Sequence, residues 1–178
     1  ACAWQDEQTG PYFTTLLDKM VNAKNRRFML YNGVHSDGFA PQVLAEWKAF
    51  LDLYVAEKKP VLGGVLETLV GQFTKTLYGA ETKLPKDRWK AFKDHAEALA
   101  QWQSEDDVQV IFENGGGKTP GLPEGTFTLS FKQWPPETTK ATRWFFQPDG
   151  SLAEQQPSAV PAPGAATSTA STFEHDPN

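Results

Sequence analysis

Only one cysteine, Cys2, stands in the whole chain, so no internal disulfide framework holds it together, and a lone thiol does not fix the redox compartment. Near a strand end it reads as a small buried residue. Basic residues are the minority, 17 Lys and Arg against 22 Asp and Glu, giving a net charge of −5 and an isoelectric point near 5.2. No basic cluster runs along any face, which argues against a nucleic-acid partner. No apolar run approaches the roughly 20 residues that a membrane-spanning helix needs. There is no internal repeat and no Gly-x-Ser-x-Gly nucleophile elbow. The first residues, Ala1-Cys2-Ala3-Trp4, show no initiator Met, no basic n-region and no apolar h-region, and so read as an excerpt or a processed product. What is present is a hydrophobic content of 39 % with six Trp and twelve Phe, which predicts a folded core.

The order of patterns predicts two kinds of architecture in succession. Thr9-Gly10-Pro11 opens a helix whose apolar face is Tyr12, Phe13, Leu16, Leu17, Met20 and Val21. Arg26 to Tyr31 is a short apolar run stopped by Asn32-Gly33, and reads as a buried strand. A loop covers residues 32–40. Pro41 then starts a helix with Val43, Leu44, Trp47, Phe50, Leu51, Tyr54 and Val55 on its stripe, ended by Lys58-Lys59-Pro60. Helical patterns follow at 61–79 and 86–103. Helix, strand and helix in close succession build an α/β layer structure around a parallel sheet, most of whose strands would precede Ala1. Composition changes at Ser104-Glu105-Asp106-Asp107. Beyond it, Val108, Val110 and Phe112, then Phe127, Leu129 and Phe131, then Trp144 and Phe146 alternate between turns, as in an antiparallel β-sandwich. The predicted division is 1–105 and 106–178, with an Ala/Pro/Ser/Thr-rich, extended and mobile stretch at 155–172.

Asp6 follows a run, Ala1-Cys2-Ala3, that could end a strand, and precedes a helix. His35 follows the next strand and precedes another helix. Both therefore occupy the carboxyl end of a strand, where open α/β sheets place their sites, and neighbouring strands would bring carboxylate and imidazole together. An Asp on one ring nitrogen fixes the tautomer, and the other nitrogen takes a proton from a nucleophile. Asp and His in polar loops are more often solvated or capping residues, Glu7 competes with Asp6 for the acid role, and Asp37 reads equally as a loop cap. Ser36, adjacent in sequence, is badly placed to be the nucleophile of His35 and reads as a loop-shaping residue.

Three stretches, Asp6-Glu7-Gln8-Thr9-Gly10, Asn32-Gly33-Val34-His35-Ser36-Asp37, and Phe50 to Ala56, resemble the last third of the catalytic domain of CocE/NonD-type α/β-hydrolases, relatives of the X-Pro dipeptidyl-peptidases. Further along, Val110 to Gly115, Trp134-Pro135-Pro136, Trp144 with Asp149-Gly150-Ser151-Leu152, and Phe173 to Pro177 resemble the opening of that family's C-terminal jelly-roll, a galactose-binding-like domain. The pieces are collinear over most of the chain, and acid before histidine is the α/β-hydrolase order. The resemblance implies a fragment of a serine hydrolase acting on an ester, acyl or X-Pro dipeptide substrate. It matches Asp6 to the triad acid and His35 to the triad base, while the nucleophile and oxyanion hole belong to the upstream half of the catalytic domain. It implies no cofactor and no activity for the fragment alone; it is compatible with an extracellular or periplasmic setting, but the sequence does not give the compartment.

Other features have plainer readings. Gly115-Gly116-Gly117-Lys118-Thr119 lacks the first glycine of a phosphate-binding loop, Phe112 standing in its place, and it precedes a strand, so it reads as an inter-strand loop. His95 reads as a surface or satisfied residue within a helix, and His175 as part of a turn. A metal set of Asp6, Glu7, His35 and Asp37 has no recognised ligand spacing. The non-enzymatic alternative is a β-sandwich module from Val108 onward that binds carbohydrate or protein.

Overall fold

A computed structural model describes residues 2–6, 8–147 and 149–157, the side chain of Cys2 excepted. The chain divides into two compact units, Ala1–Glu137 and Thr138–Asn178. In the first, a four-stranded sheet has the order β1 (Cys2–Ala3), β2 (Phe28–Tyr31), β3 (Val108–Phe112), β4 (Phe127–Phe131). The first three strands are parallel and the fourth antiparallel, with Cys2 opposite Leu30, Phe28 opposite Val108, and Val108 opposite Phe131. Among its described residues the second unit holds one antiparallel pair, β5 (Phe145–Phe146) with β6 (Leu152–Ala153).

Strand alternation decides which side chains meet which layer. On one face Ala3, Met29, Tyr31 and Ile111 pack with Ala40 and Val43 of the segment entering α1 (Pro41–Tyr54). On the other, Leu30 and Val108 pack with Phe13 and Leu17 of a 3₁₀ helix, Gly10–Lys19. Both faces of β2 are therefore covered, which is why it reads as a continuous apolar run. The Gly10–Lys19 segment winds more tightly than the helix its spacing predicts. Thr14 and Thr15 hydroxyls donate to the carbonyls of Pro11 and Tyr12, each three residues back, at 2.8 Å. Tyr12, Leu16, Met20 and Val21 of the expected apolar face stand exposed.

A second core lies between α1, a short 3₁₀ turn at Arg88–Ala91 and α3 (His95–Ser104). Trp89 and Trp102 stack there with centroids 6.0 Å apart, against Ala45, Ala49 and Leu53. Ala45, Ala49 and Leu53 form that side of α1, with Phe50 and Tyr54 packed against it, whereas Trp47, Leu51 and Val55 of the expected stripe stand exposed. Trp47 instead lines an open hollow of about 300 Å³ with Met20, Phe28 and Phe50. The single helix expected over 86–103 is broken in two, because Asp87 accepts from the Trp89 N–H and Asp94 from the Glu97 N–H, each capping a new start. α2 (Val65–Tyr78) begins after Gly63 and Gly64, both at positive φ, and so later than its pattern.

The first unit runs past the boundary expected at 105/106. β3 does not open a separate layer; it docks in parallel on β2, burying Val108 and Ile111 against the two faces of the same sheet. Most of the stretch at 155–172, and His175 with its neighbours, lie outside the described residues.

Candidate active site

β1 and β2 are adjacent and parallel, so the loops leaving their carboxyl ends run side by side. Backbone bonds continue the pairing into those loops: Trp4 N–H donates to Tyr31 O at 2.8 Å and Gln5 N–H to Gly33 O at 3.0 Å. Asp6 and His35 come next on each side, and they meet. Asp6 Oδ2 lies 2.5 Å from His35 Nδ1. The acid is shielded, its side chain 9 % exposed, while the imidazole is 57 % exposed.

The other oxygen of Asp6 is held by the chain itself. Oδ1 accepts from the backbone N–H of Gln8 at 2.8 Å and of Thr9 at 2.9 Å, a turn that both aims the carboxylate and opens the following helix. The Thr9 and Gln8 amides, followed by the His35 ring, pull the Asp6 carboxyl down from an ordinary 3.8 to about 2. It is therefore ionised at neutral pH and can only accept. The proton in the shared bond then sits on Nδ1, and the basic lone pair of the neutral ring is on Nε2.

His35 opens a 3₁₀ turn, His35–Phe39, inside the segment expected to be an irregular loop. Asp37 within that turn and Asn114, Tyr78 and Gly33 beside it complete the surroundings. Asp37, 9 % exposed, accepts through Oδ2 from the Val34 N–H at 3.1 Å and from Asn114 Nδ2 at 3.0 Å. Burial pushes its carboxyl above the ordinary range, against the pull of those two donors. Tyr78, the last residue of α2, donates its hydroxyl to Ser36 O at 2.8 Å, and its phenol is raised by burial and by the nearby Asp37 charge. Gly33 is buried where a methyl group would overlap the Asp37 carboxylate and lie 2.7 Å from Asn114 Nδ2. Sequence reasoning missed Gly33, Tyr78 and Asn114 as parts of this site. Gly33 carried a signal, read only as a strand stop, whereas no spacing rule links Tyr78 or Asn114 to His35.

The remaining candidates stand apart. Glu7 lies outside the described residues. Among the described residues no group of three or more His, Cys, Asp and Glu side chains is arranged to hold a metal ion. His95 Nε2 lies 2.9 Å from Leu53 O, at the second core. In the glycine-rich loop between β3 and β4, the N–H of Gly115 donates to Glu124 O and that of Gly116 to Glu113 O, so these amides close the loop on itself instead of facing an anion. No helix among the described residues is long and apolar enough to cross a membrane.

No family model matches the chain, and neither a curated protein nor a solved structure matches it.

Proposed function

We propose that the chain supplies the acid and the base of a Ser-His-Asp acyl-transfer site in a serine hydrolase of the CocE/X-Pro dipeptidyl-peptidase type, one that cleaves an ester or amide bond. The observation that supports this most is the 2.5 Å contact of Asp6 Oδ2 with His35 Nδ1 at the carboxyl ends of adjacent parallel strands. Asp6 orients the ring and stabilises the imidazolium. Nε2 takes the proton of a serine hydroxyl as its oxygen bonds to the substrate carbonyl carbon. The same proton then passes to the departing alcohol or amine as the bond to the carbonyl carbon breaks. Water, deprotonated by Nε2, repeats the cycle on the acyl-enzyme. In this reading the serine and the oxyanion-hole donors come from outside these 178 residues, and the strands from Val108 onward lead into a jelly-roll domain.

The reading is tested in two arms with an activated ester. The 178-residue chain turns the ester over no faster than free imidazole at equal concentration. In a longer gene product that includes residues before Ala1, Asp6→Asn lowers kcat by about 10⁴-fold and His35→Ala by about 10⁶-fold. Rapid turnover by the short chain that depends on His35 sinks the serine-from-elsewhere assignment. A longer product indifferent to His35→Ala sinks the hydrolase itself.

A further inference from the structure

The base of this site sits on a short 3₁₀ turn, whose own backbone bonds include Asp37 N–H to Val34 O and Ala40 N–H to Asp37 O, each at 3.0 Å. Residues on both sides of His35 are fastened from elsewhere in the fold. Immediately before it, the Val34 N–H is held by Asp37 Oδ2, and that same oxygen is gripped by Asn114 Nδ2 from the loop after β3. Immediately after it, the Ser36 carbonyl is held by the hydroxyl of Tyr78 from the end of α2. A ring contact adds to the second fastening: Phe39 of the turn meets Phe73 of α2 edge-on at 5.5 Å. Burying an ionisable Asp37 costs free energy, and an apolar residue at that place would avoid the cost. The backbone of the turn would then lose its anchor. Gly33 leaves room for the Asp37–Asn114 pair and for nothing else.

We infer that Asp37, Asn114 and Tyr78 are positioning residues for His35, acting through the backbone on either side of it to hold its ring against Asp6. The inference rests on the proposed acid–base role of the Asp6–His35 pair. The three residues come from three separate segments, so the turn is oriented by α2 and by the β3–β4 loop as well as by β2, which carries it.

The tautomer of His35 reports the position directly. In ¹⁵N-histidine-labelled chain at about pH 9, well above an ordinary imidazole pKa of about 6.5, long-range ¹H–¹⁵N correlations show which nitrogen carries the proton. His35 in the unaltered chain is expected in one form, protonated on Nδ1, and Asp6→Asn, whose oxygen keeps the Gln8 and Thr9 amides and whose NH2 then faces the ring, is expected to move the proton to Nε2. Tyr78→Phe, which removes one oxygen and keeps the ring, and Asn114→Ala are each expected to give a mixture of the two forms, with the backbone amide spectrum elsewhere unchanged. Asp37→Asn keeps an acceptor for the Val34 N–H and is expected to retain the single form, whereas Asp37→Ala loses it. A single tautomer retained in Tyr78→Phe removes Tyr78 from the set, and one retained in Tyr78→Phe, Asn114→Ala and Asp37→Ala alike overturns the inference while the acid–base pair stands. If the unaltered chain already shows the mixture and Asp6→Asn changes nothing, the pair itself falls and the positioning role with it. Should Asn114→Ala unfold, Tyr78→Phe and Asp37→Ala together decide, a single tautomer in both overturning the inference.

Discussion

Both oxygens of Asp6 are occupied, one by two backbone amides and the other by the imidazole, and this gives the pair a defined response to acid. Because the folded-state carboxyl lies near 2 and the ordinary value is 3.8, its ionised form supports the fold above 3.8, and that support is lost as the pH falls through about 2. The amide resonances of Gln8 and Thr9 are therefore expected to titrate with a midpoint of about 2; a midpoint near 4 would show that the carboxylate is not held as described. Asp37 responds with the opposite sign, its charged form opposing the fold as the pH rises above 3.8. Gly33 gives a steric test of the same corner. Gly33→Ala must displace the Asp37 carboxylate or move the turn, with an expected loss of about 1–3 kcal/mol in urea unfolding. A loss below about 0.5 kcal/mol would mean that the turn has slack there. Asp6 and His35 were legible in the sequence because each follows a strand signal and precedes a helix signal, and that placement needs no knowledge of the partner.

At the scale of elements, type was easier to read than buried face. The start of α1 follows from Pro41, and β2 from an apolar run closed by Asn32-Gly33. Of the stripe read on α1, Val43 is buried and Phe50 and Tyr54 pack against the second core, whereas Trp47 and Leu51 were misplaced because hydrophobicity ranks them above Ala45 and Ala49. The aromatic bulk at that contact is donated by Trp89 and Trp102, so α1 must present small residues to it. Nothing local to α1 announces what it will face. The break at 92–94 was announced, since Asp94 with Glu97 three residues on has the spacing of a capping box; Asp94 accepts from the Glu97 N–H, and Glu97 reaches back one residue further, to the Lys93 N–H at 2.7 Å. Two substitutions separate the faces. Ala49→Leu adds bulk to a fully buried site and is expected to cost about 1–3 kcal/mol. Trp47→Ala removes a side chain from a residue 57 % exposed and is expected to cost less than about 1 kcal/mol. Thermal or urea unfolding that ranked them the other way would restore the hydrophobic stripe and refute the tryptophan core.

For the whole molecule, the informative fact is where β3 goes. Its alternation of Val108, Val110 and Phe112 is the same whether it opens an antiparallel layer or joins a parallel sheet, and the acidic run before it looks like a boundary in either case. Only the long-range register, Phe28 opposite Val108 through Tyr31 opposite Ile111, decides the matter, and no pattern within either strand encodes it. The consequence reaches the site, because the loop that β3 leads into delivers Asn114 to Asp37. Asp6, Gly33, His35, Asp37, Tyr78 and Asn114 all fall within Ala1–Glu137. Two shortened chains therefore behave differently. One ending at Glu137 keeps the sheet and every residue of the site, and is expected to retain the Nδ1-protonated form of His35 and the low Asp6 titration. One ending at Glu105, at the boundary that composition suggests, loses β3 and bares the edge of β2 along with the apolar side chains that Val108 and Ile111 cover, including Leu30 and Met29. It is expected to bind a hydrophobic dye, to lose a cooperative unfolding transition and to show His35 in mixed tautomers. A chain ending at Glu105 that unfolded cooperatively with the His35 tautomer intact would show that β3 is no part of the sheet on which the acid and the base are built.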